Sequence, residues 1–174
     1  MDECPPAVRA LLGECGITLD VIASRCLAFE PEAAELVVAE VDESGREHRL
    51  TPAAARAWRG MRAAAEADGV VLHIASAFRD IERQAQIIRG KLAKGLAIDE
   101  ILKASAPPGY SEHHSGEALD VGTDGVRAFE EVFERTRAFE WLRENAGRFG
   151  FRLSFPRDNA SGYVYEPWHW RFVG

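Results

Sequence analysis

The stretch "GYSEHHSGEALDVG", residues 109–122, sets adjacent histidines and several acids between glycines, in a chain that elsewhere reads as ordinary globular sequence. Pro107, Pro108, Gly109 and Gly116 keep "SAPPGYSEHHSG" (105–116) irregular, while "EALDVG" (117–122) predicts a strand. A loop histidine, His113, therefore stands seven residues before a strand carboxylate, Asp120, with Gly116 between them to let the backbone turn. Such a pair can converge on a metal ion, although an aspartate in that place can equally be a turn cap. A zinc enzyme needs three protein ligands and an open fourth position. The C-terminal "YEPWHWRFVG" (165–174) supplies an E-x-x-H pair, in which His169 can complete the set and Glu166 can stand beside the site as the proton carrier of metal-assisted hydrolysis.

Working outward, the chain is a mixture of short elements. "AELVVAEV" (34–41), the polar Asp42–Gly45 and "REHRL" (46–50) predict a β-hairpin. Thr51 and Pro52 supply an N-cap and a first-turn proline, and Asp68-Gly69 a stop, so a helix is predicted over 52–67. "VVLHIAS" (70–76) predicts a strand, and "DIERQAQIIRGKLAKG" (80–95) a helix capped by Asp80 and closed by Gly95. Helical segments are predicted near 127–135 and 137–147, then strands at "FRLSF" (151–155) and around "HWRFV" (169–173). Strands and helices mix without regular βαβ alternation, which makes the fold class α+β.

Composition narrows the class of molecule. At 174 residues, with 47% hydrophobic and 28% charged, the chain fits one domain with a real core. A net charge of −7 and the lack of a clustered basic patch argue against nucleic acid or an anionic membrane surface as partner. No apolar run reaches the length of a transmembrane segment, and "MDECPPAVRA" lacks the pattern of a signal peptide, so the expected location is the cytoplasm, or the cell envelope if a leader has been removed. Cys4, Cys15 and Cys26 all fall in the N-terminal segment without a CxxC pair; they read as small apolar side chains, with one disulfide among them left open.

Three blocks resemble a known family. "SEHHSGEALD" (111–120) matches the SxHxxGxAxD pattern of the LAS-type zinc peptidases, "EPWHWRFVG" (166–174) looks like their closing ExWH segment, and "SAFRDIERQ" (76–84) resembles their S-x-x-R segment with a glutamine five residues after the arginine. The specific likeness is to VanY-type D-alanyl-D-alanine carboxypeptidases. The resemblance implies a LAS/hedgehog-like α+β fold in which a small antiparallel or mixed sheet carries the site and helices pack around it. It implies one domain over 1–174, with a motif-bearing core at about 70–174 and an N-terminal extension with the hairpin at about 1–50. It also implies one Zn2+ held by His113, Asp120 and His169, with Glu166 as general base and Arg79 as a fixed cation for the oxyanion or the substrate carboxylate. Gln84, Ser111 and Ser115 are implied substrate contacts, and Trp168 is a candidate for the cleft wall although strand alternation around His169 puts it with Trp170 on the opposite face. The motif spacing selects His113 over His114, which is expected on the pocket rim; Glu117 is expected to face solvent, and His48 and His73 are read as structural or solvated.

The implied activity is release of a C-terminal D-amino acid, D-alanine, from a peptidoglycan stem peptide, by a monomer. An L,D-carboxypeptidase and an L-alanyl-D-glutamate endopeptidase share the motifs, and a zinc-binding module of hedgehog type would hold the metal without turnover.

Overall fold

Helices form where capping residues and apolar spacing coincide. The computed structural model describes residues 4–174. Its helices are α1 (Pro6–Glu14), α2 (Leu19–Ser24), α3 (Pro52–Ala67), α4 (Ile81–Ala93), α5 (Ile98–Ile101) and α6 (Arg137–Asn145). The Thr51 side chain accepts from Ala54 N at the start of α3, and Asp80 does the same from Arg83 N at the start of α4. Beyond α3, Val70 N donates back to Ala65 O, so the first residues of the predicted strand 70–76 close the helix and pairing starts only at His73.

The strands are β1 (Val37–Val41), β2 (Glu47–Leu50), β3 (His73–Ser76), β4 (Ala118–Gly122), β5 (Phe151–Leu153) and β6 (His169–Phe172). β1 and β2 form the predicted hairpin, its turn held by Asp42 Oδ1, which accepts from Ser44 N and Arg46 N. The other four strands form an antiparallel sheet in the order β3-β4-β6-β5. β4 lies inside this sheet and every one of its residues is buried, so Asp120 is a carboxylate in the middle of a core strand. The mixed architecture is the α+β arrangement expected. One core cluster packs α3 and α6 on the sheet through Trp58, Met61, Leu119, Leu142 and Phe151; a second joins α1 and α2 to α4 and α5 through Leu12, Ile22, Ile88 and Ile101. Among the described residues, no helix is long and apolar enough to cross a membrane. No disulfide joins the cysteines: Cys4 and Cys15 are buried thiols in the second cluster and Cys26 is exposed.

The helix predicted near 127–135 is a correction. Residues 127–130 are irregular and only Glu131–Arg135 makes a 3-10 turn. Phe129 sits at φ 64° with its ring edge-on to Trp168 at 6.4 Å, and Phe133 turns inward against Phe139. Burying Phe133, with Phe129 half exposed beside Trp168, overrides the helix propensity of the acids and arginines around them.

His114 is a second correction, since it is fully buried and not on a rim. Its Nδ1 lies 2.6 Å from Arg79 O and its Nε2 accepts from Gly109 N at 3.2 Å. The carbonyl requires a proton on Nδ1 and the amide requires a lone pair on Nε2, which makes the ring neutral and ties both ends of the motif loop to the entry of α4. Burial pushes its pKa down from the ordinary 6.5 to about 4. Gly116 completes the loop at φ 67°, where an added Cβ would stand 2.9 Å from Leu36 Cδ2 and 3.1 Å from Ala33 Cβ.

Two outcomes follow from this loop. Gly116→Ala combines left-handed strain with overpacking and should cost about 2–3 kcal/mol, read as a lower Tm; an unchanged Tm contradicts it. The unfolded chain takes up a proton on His114 near 6.5 and the folded chain only near 4, so acidification across that window should drain stability. Heteronuclear NMR of the imidazole checks the premise: a Nδ1–H tautomer still neutral at pH 5.5 is expected, and a ring titrating near 6.5 contradicts it.

Candidate metal centre

Strand pairing makes the first contact of the site. Asp120 on β4 lies directly opposite His169 on β6, so their side chains share one face of the sheet. His169 Nδ1 is 3.0 Å from Asp120 Oδ1. The 3-10 turn Glu112–Ser115 then brings His113 over the same carboxylate, with its Nε2 3.2 Å from Asp120 Oδ2. The two imidazoles meet edge to face, centroids 4.9 Å apart, and all three groups are buried with their ligand atoms within 4.8 Å of one another.

The far nitrogen of each ring shows what belongs between them. His113 Nδ1 faces Ala77 O at 2.8 Å and His169 Nε2 faces Glu112 Oε2 at 2.9 Å, so both far nitrogens donate. With both rings neutral, each near nitrogen would then turn a lone pair toward the Asp120 carboxylate. Positive charge is needed in the centre of the three groups. Burial works against charging His169, yet its hydrogen bonds to Asp120 and Glu112 hold a proton there up to about 10. Burial resists ionising Asp120 as well, and the two histidines nevertheless keep it well below the usual carboxylate range, while burial holds His113 down. Two imidazoles and a carboxylate with outer hydrogen bonds already in place fit a zinc ion, which replaces that proton and satisfies all three groups.

Glu166 stands at the edge of this triad, its Oε2 3.9 Å from His169 Nδ1. Its pKa is raised to about 7, chiefly by burial, with Asp120 and Glu112 adding to it and His169 and Arg79 pulling back. Arg79 is held by Nη1 donating to Gln84 Oε1 at 2.6 Å and Nη2 to Ser76 Oγ at 3.4 Å; burial lowers its pKa, while Asp120 and Glu166 act to keep it charged. These groups line a cleft of about 810 Å³ whose walls include Ser111, Tyr163, Trp168 and Lys91.

The remaining candidates divide. Ser111 and Trp168 line the cleft, Trp168 lying just before β6 and outside its alternation. Gln84 also lines it, but the side chain is buried and occupied, donating to Ala106 O at 2.6 Å while it accepts from Arg79. Ser115 is not among the lining residues: its hydroxyl donates to Glu112 O and accepts from Glu117 N, which locks the turn. Glu117 is only half exposed, 3.5 Å from Arg171 Nη2. Glu112 was not singled out by sequence reasoning; its one visible signal is an acid adjoining a candidate ligand, and its contact with His169 needs the sheet to form.

A family model described as VanY, D-alanyl-D-alanine carboxypeptidase, matches residues 47–174. The putative carboxypeptidase YodJ of Bacillus subtilis is 34% identical over 152 residues, 82% of this chain and 55% of that protein. The chain spans about half the length of the curated relatives it matches. Among solved structures, the LD-carboxypeptidase LdcB is similar with a TM-score of 0.72 at 32% identity, over 82% of this chain and 70% of that one. A D,D-pentapeptidase VanY solved with Zn(II) gives a TM-score of 0.64 at 32% identity, over 87% and 88%. With its three motif blocks gathered around one cleft and a match that runs through all of them, this chain belongs to the VanY family of D-alanyl-D-alanine carboxypeptidases.

Proposed function

We propose that the chain is a zinc-dependent carboxypeptidase that releases one C-terminal D-amino acid, D-alanine, from a peptidoglycan stem peptide. The observation that carries this reading is the buried His113–Asp120–His169 triad with Glu166 3.9 Å from one ligand and the half-buried Arg79 in the same cleft. On this reading residues 1–174 act as one peptidase domain, and His113, Asp120 and His169 hold one zinc ion.

Zinc bound there would supply Lewis acidity, lowering the pKa of a water to about 7 and polarising the scissile carbonyl. Glu166, 3.9 Å from His169 Nδ1, is placed to take a proton from the attacking water and hand it to the leaving amine. This largely buried carboxyl group beside the triad serves both transfers, and no covalent intermediate is required. Arg79, fixed by Gln84, presents its guanidinium to the developing oxyanion or to the substrate carboxylate. Gln84 thus acts through Arg79, and Ser111 and Trp168 shape the cleft. A zinc-binding module without turnover has no use for this acid and cation.

One second reading has an observation behind it: the higher TM-score, 0.72 against 0.64, belongs to an LD-carboxypeptidase. Mass spectrometry of products from a pentapeptide ending in D-Ala-D-Ala, the corresponding tetrapeptide and the amidated pentapeptide separates the two. Loss of one D-alanine from the pentapeptide alone is expected. Cleavage of the tetrapeptide moves the assignment to L,D specificity, and equal cleavage of the amidated peptide removes carboxylate recognition and favours an endopeptidase. Chelation should abolish activity and added zinc should restore it; a fully active metal-free protein contradicts the reading. Glu166→Gln should keep one zinc per chain but lose at least about 100-fold in kcat, whereas loss of zinc in that variant makes Glu166 a ligand.

A further inference from the structure

Arg171 on β6 lies among three acids, Glu30 from the N-terminal part of the chain and Glu112 and Glu117 from the motif loop. It binds Glu30 through both terminal guanidinium nitrogens, Nη1 to Oε1 and Nη2 to Oε2 at 3.0 Å, while Nη1 is 3.4 Å from Glu112 Oε1 and Nη2 is 3.5 Å from Glu117 Oε2. The side chains of Arg171, Glu30 and Glu112 are only 18%, 15% and 15% exposed, so this is no solvated surface pair. A forked arginine–carboxylate contact at such burial fixes geometry as well as charge. Glu112 passes that geometry on. Its Oε1 faces Arg171, and its Oε2 accepts from Ser154 Oγ at 2.6 Å and from His169 Nε2 at 2.9 Å. With both oxygens engaged, Glu112 cannot swing away from His169 without breaking contacts to two other segments.

Glu30 stands outside the matched range 47–174. It belongs to an arm that is stitched to the motif loop: Glu30 N donates to Gly109 O at 2.8 Å, Ala33 N to His114 O at 2.9 Å, and Glu32 Oε1 accepts from Ile81 N at 2.7 Å. We propose that Glu30, Arg171 and Glu112 form a positioning relay that holds the His169 ring with Nδ1 turned toward Asp120, so that the N-terminal arm is a working part of the metal centre. This inference rests on the reading of His169 as a zinc ligand. Glu30 and Arg171 lie outside the residues that line the cleft, and the role assigned to all three is to orient that ring.

The test uses the full chain, stripped of zinc and retitrated against a chromophoric zinc chelator, with the Tm of the zinc-free protein measured in parallel. Glu112→Gln should weaken zinc binding roughly 10-fold or more, in the range found for outer partners of metal-bound histidines, and Glu30→Gln, two contacts further out, by a smaller factor of about 3 or more. In the double variant, Glu30→Gln should add nothing to the loss, because its only route to the metal is through Glu112; a merely structural role would lower the zinc-free Tm equally in both backgrounds and leave the affinity unmoved. Arg171→Lys, which keeps the charge but loses the fork, should match Glu30→Gln and serves if that variant fails to fold. Variants that bind zinc as tightly as the unaltered chain, or a Glu30→Gln loss that persists undiminished beside Glu112→Gln, overturn the relay alone. An unaltered chain that holds no zinc overturns the relay and the proposed activity together.

Discussion

The structure depends on one buried carboxylate. Asp120 occupies the middle of a strand with every side chain out of water, and an ionised group there is tolerable only when its partners are close and its oxygens are used. Both are used, one by each histidine. The cost of burying that charge is offset only while β4 and β6 stay in register and the motif loop stays folded over them. Sheet pairing, loop geometry and site chemistry are therefore one constraint viewed at three scales.

The loop itself explains why two histidines stand side by side. His113 and His114 diverge from the 3-10 turn, one toward Asp120 and one into the packing beneath the entry of α4. The first has its outer nitrogen on Ala77 O, the second on Arg79 O, so the segment that carries the cleft arginine is braced by both rings. Arg79 in turn is held by Gln84 one turn into α4. Cation and triad thus share a scaffold, which keeps their separation fixed.

Much of this was legible in residues alone. The ends of α3 followed from Thr51-Pro52 and Asp68-Gly69 because caps act locally, on amides three or four residues away. Spacing alone left the convergence of His113 on Asp120 open, since Asp120 could equally cap a turn, and it was the resemblance of the three motif blocks that selected it and set Glu166 beside His169. What could not be read depended on distant partners. The segment 127–135 has helical composition but buries Phe133 against Phe139 of α6 and sets the exposed Phe129 edge-on to Trp168, the residue before β6. Pro5 and Pro6, at the N-cap and first position of α1, and Thr18 ahead of α2 were start signals left unused beside the cysteines. Glu112, Arg171 and Glu30 lie far apart in the chain and meet only when the sheet and arm are built.

The central claim is that two imidazoles and one carboxylate, and no thiolate, hold the ion, and X-ray absorption at the zinc edge of the loaded chain tests it most directly. The account predicts a nitrogen and oxygen shell near ~2.0–2.1 Å, with outer-shell scattering from two imidazole rings and no sulfur. A sulfur shell near ~2.3 Å would move the ion to the cysteines, and a spectrum with fewer than two imidazoles would remove His113 or His169 from the centre; either result contradicts the account.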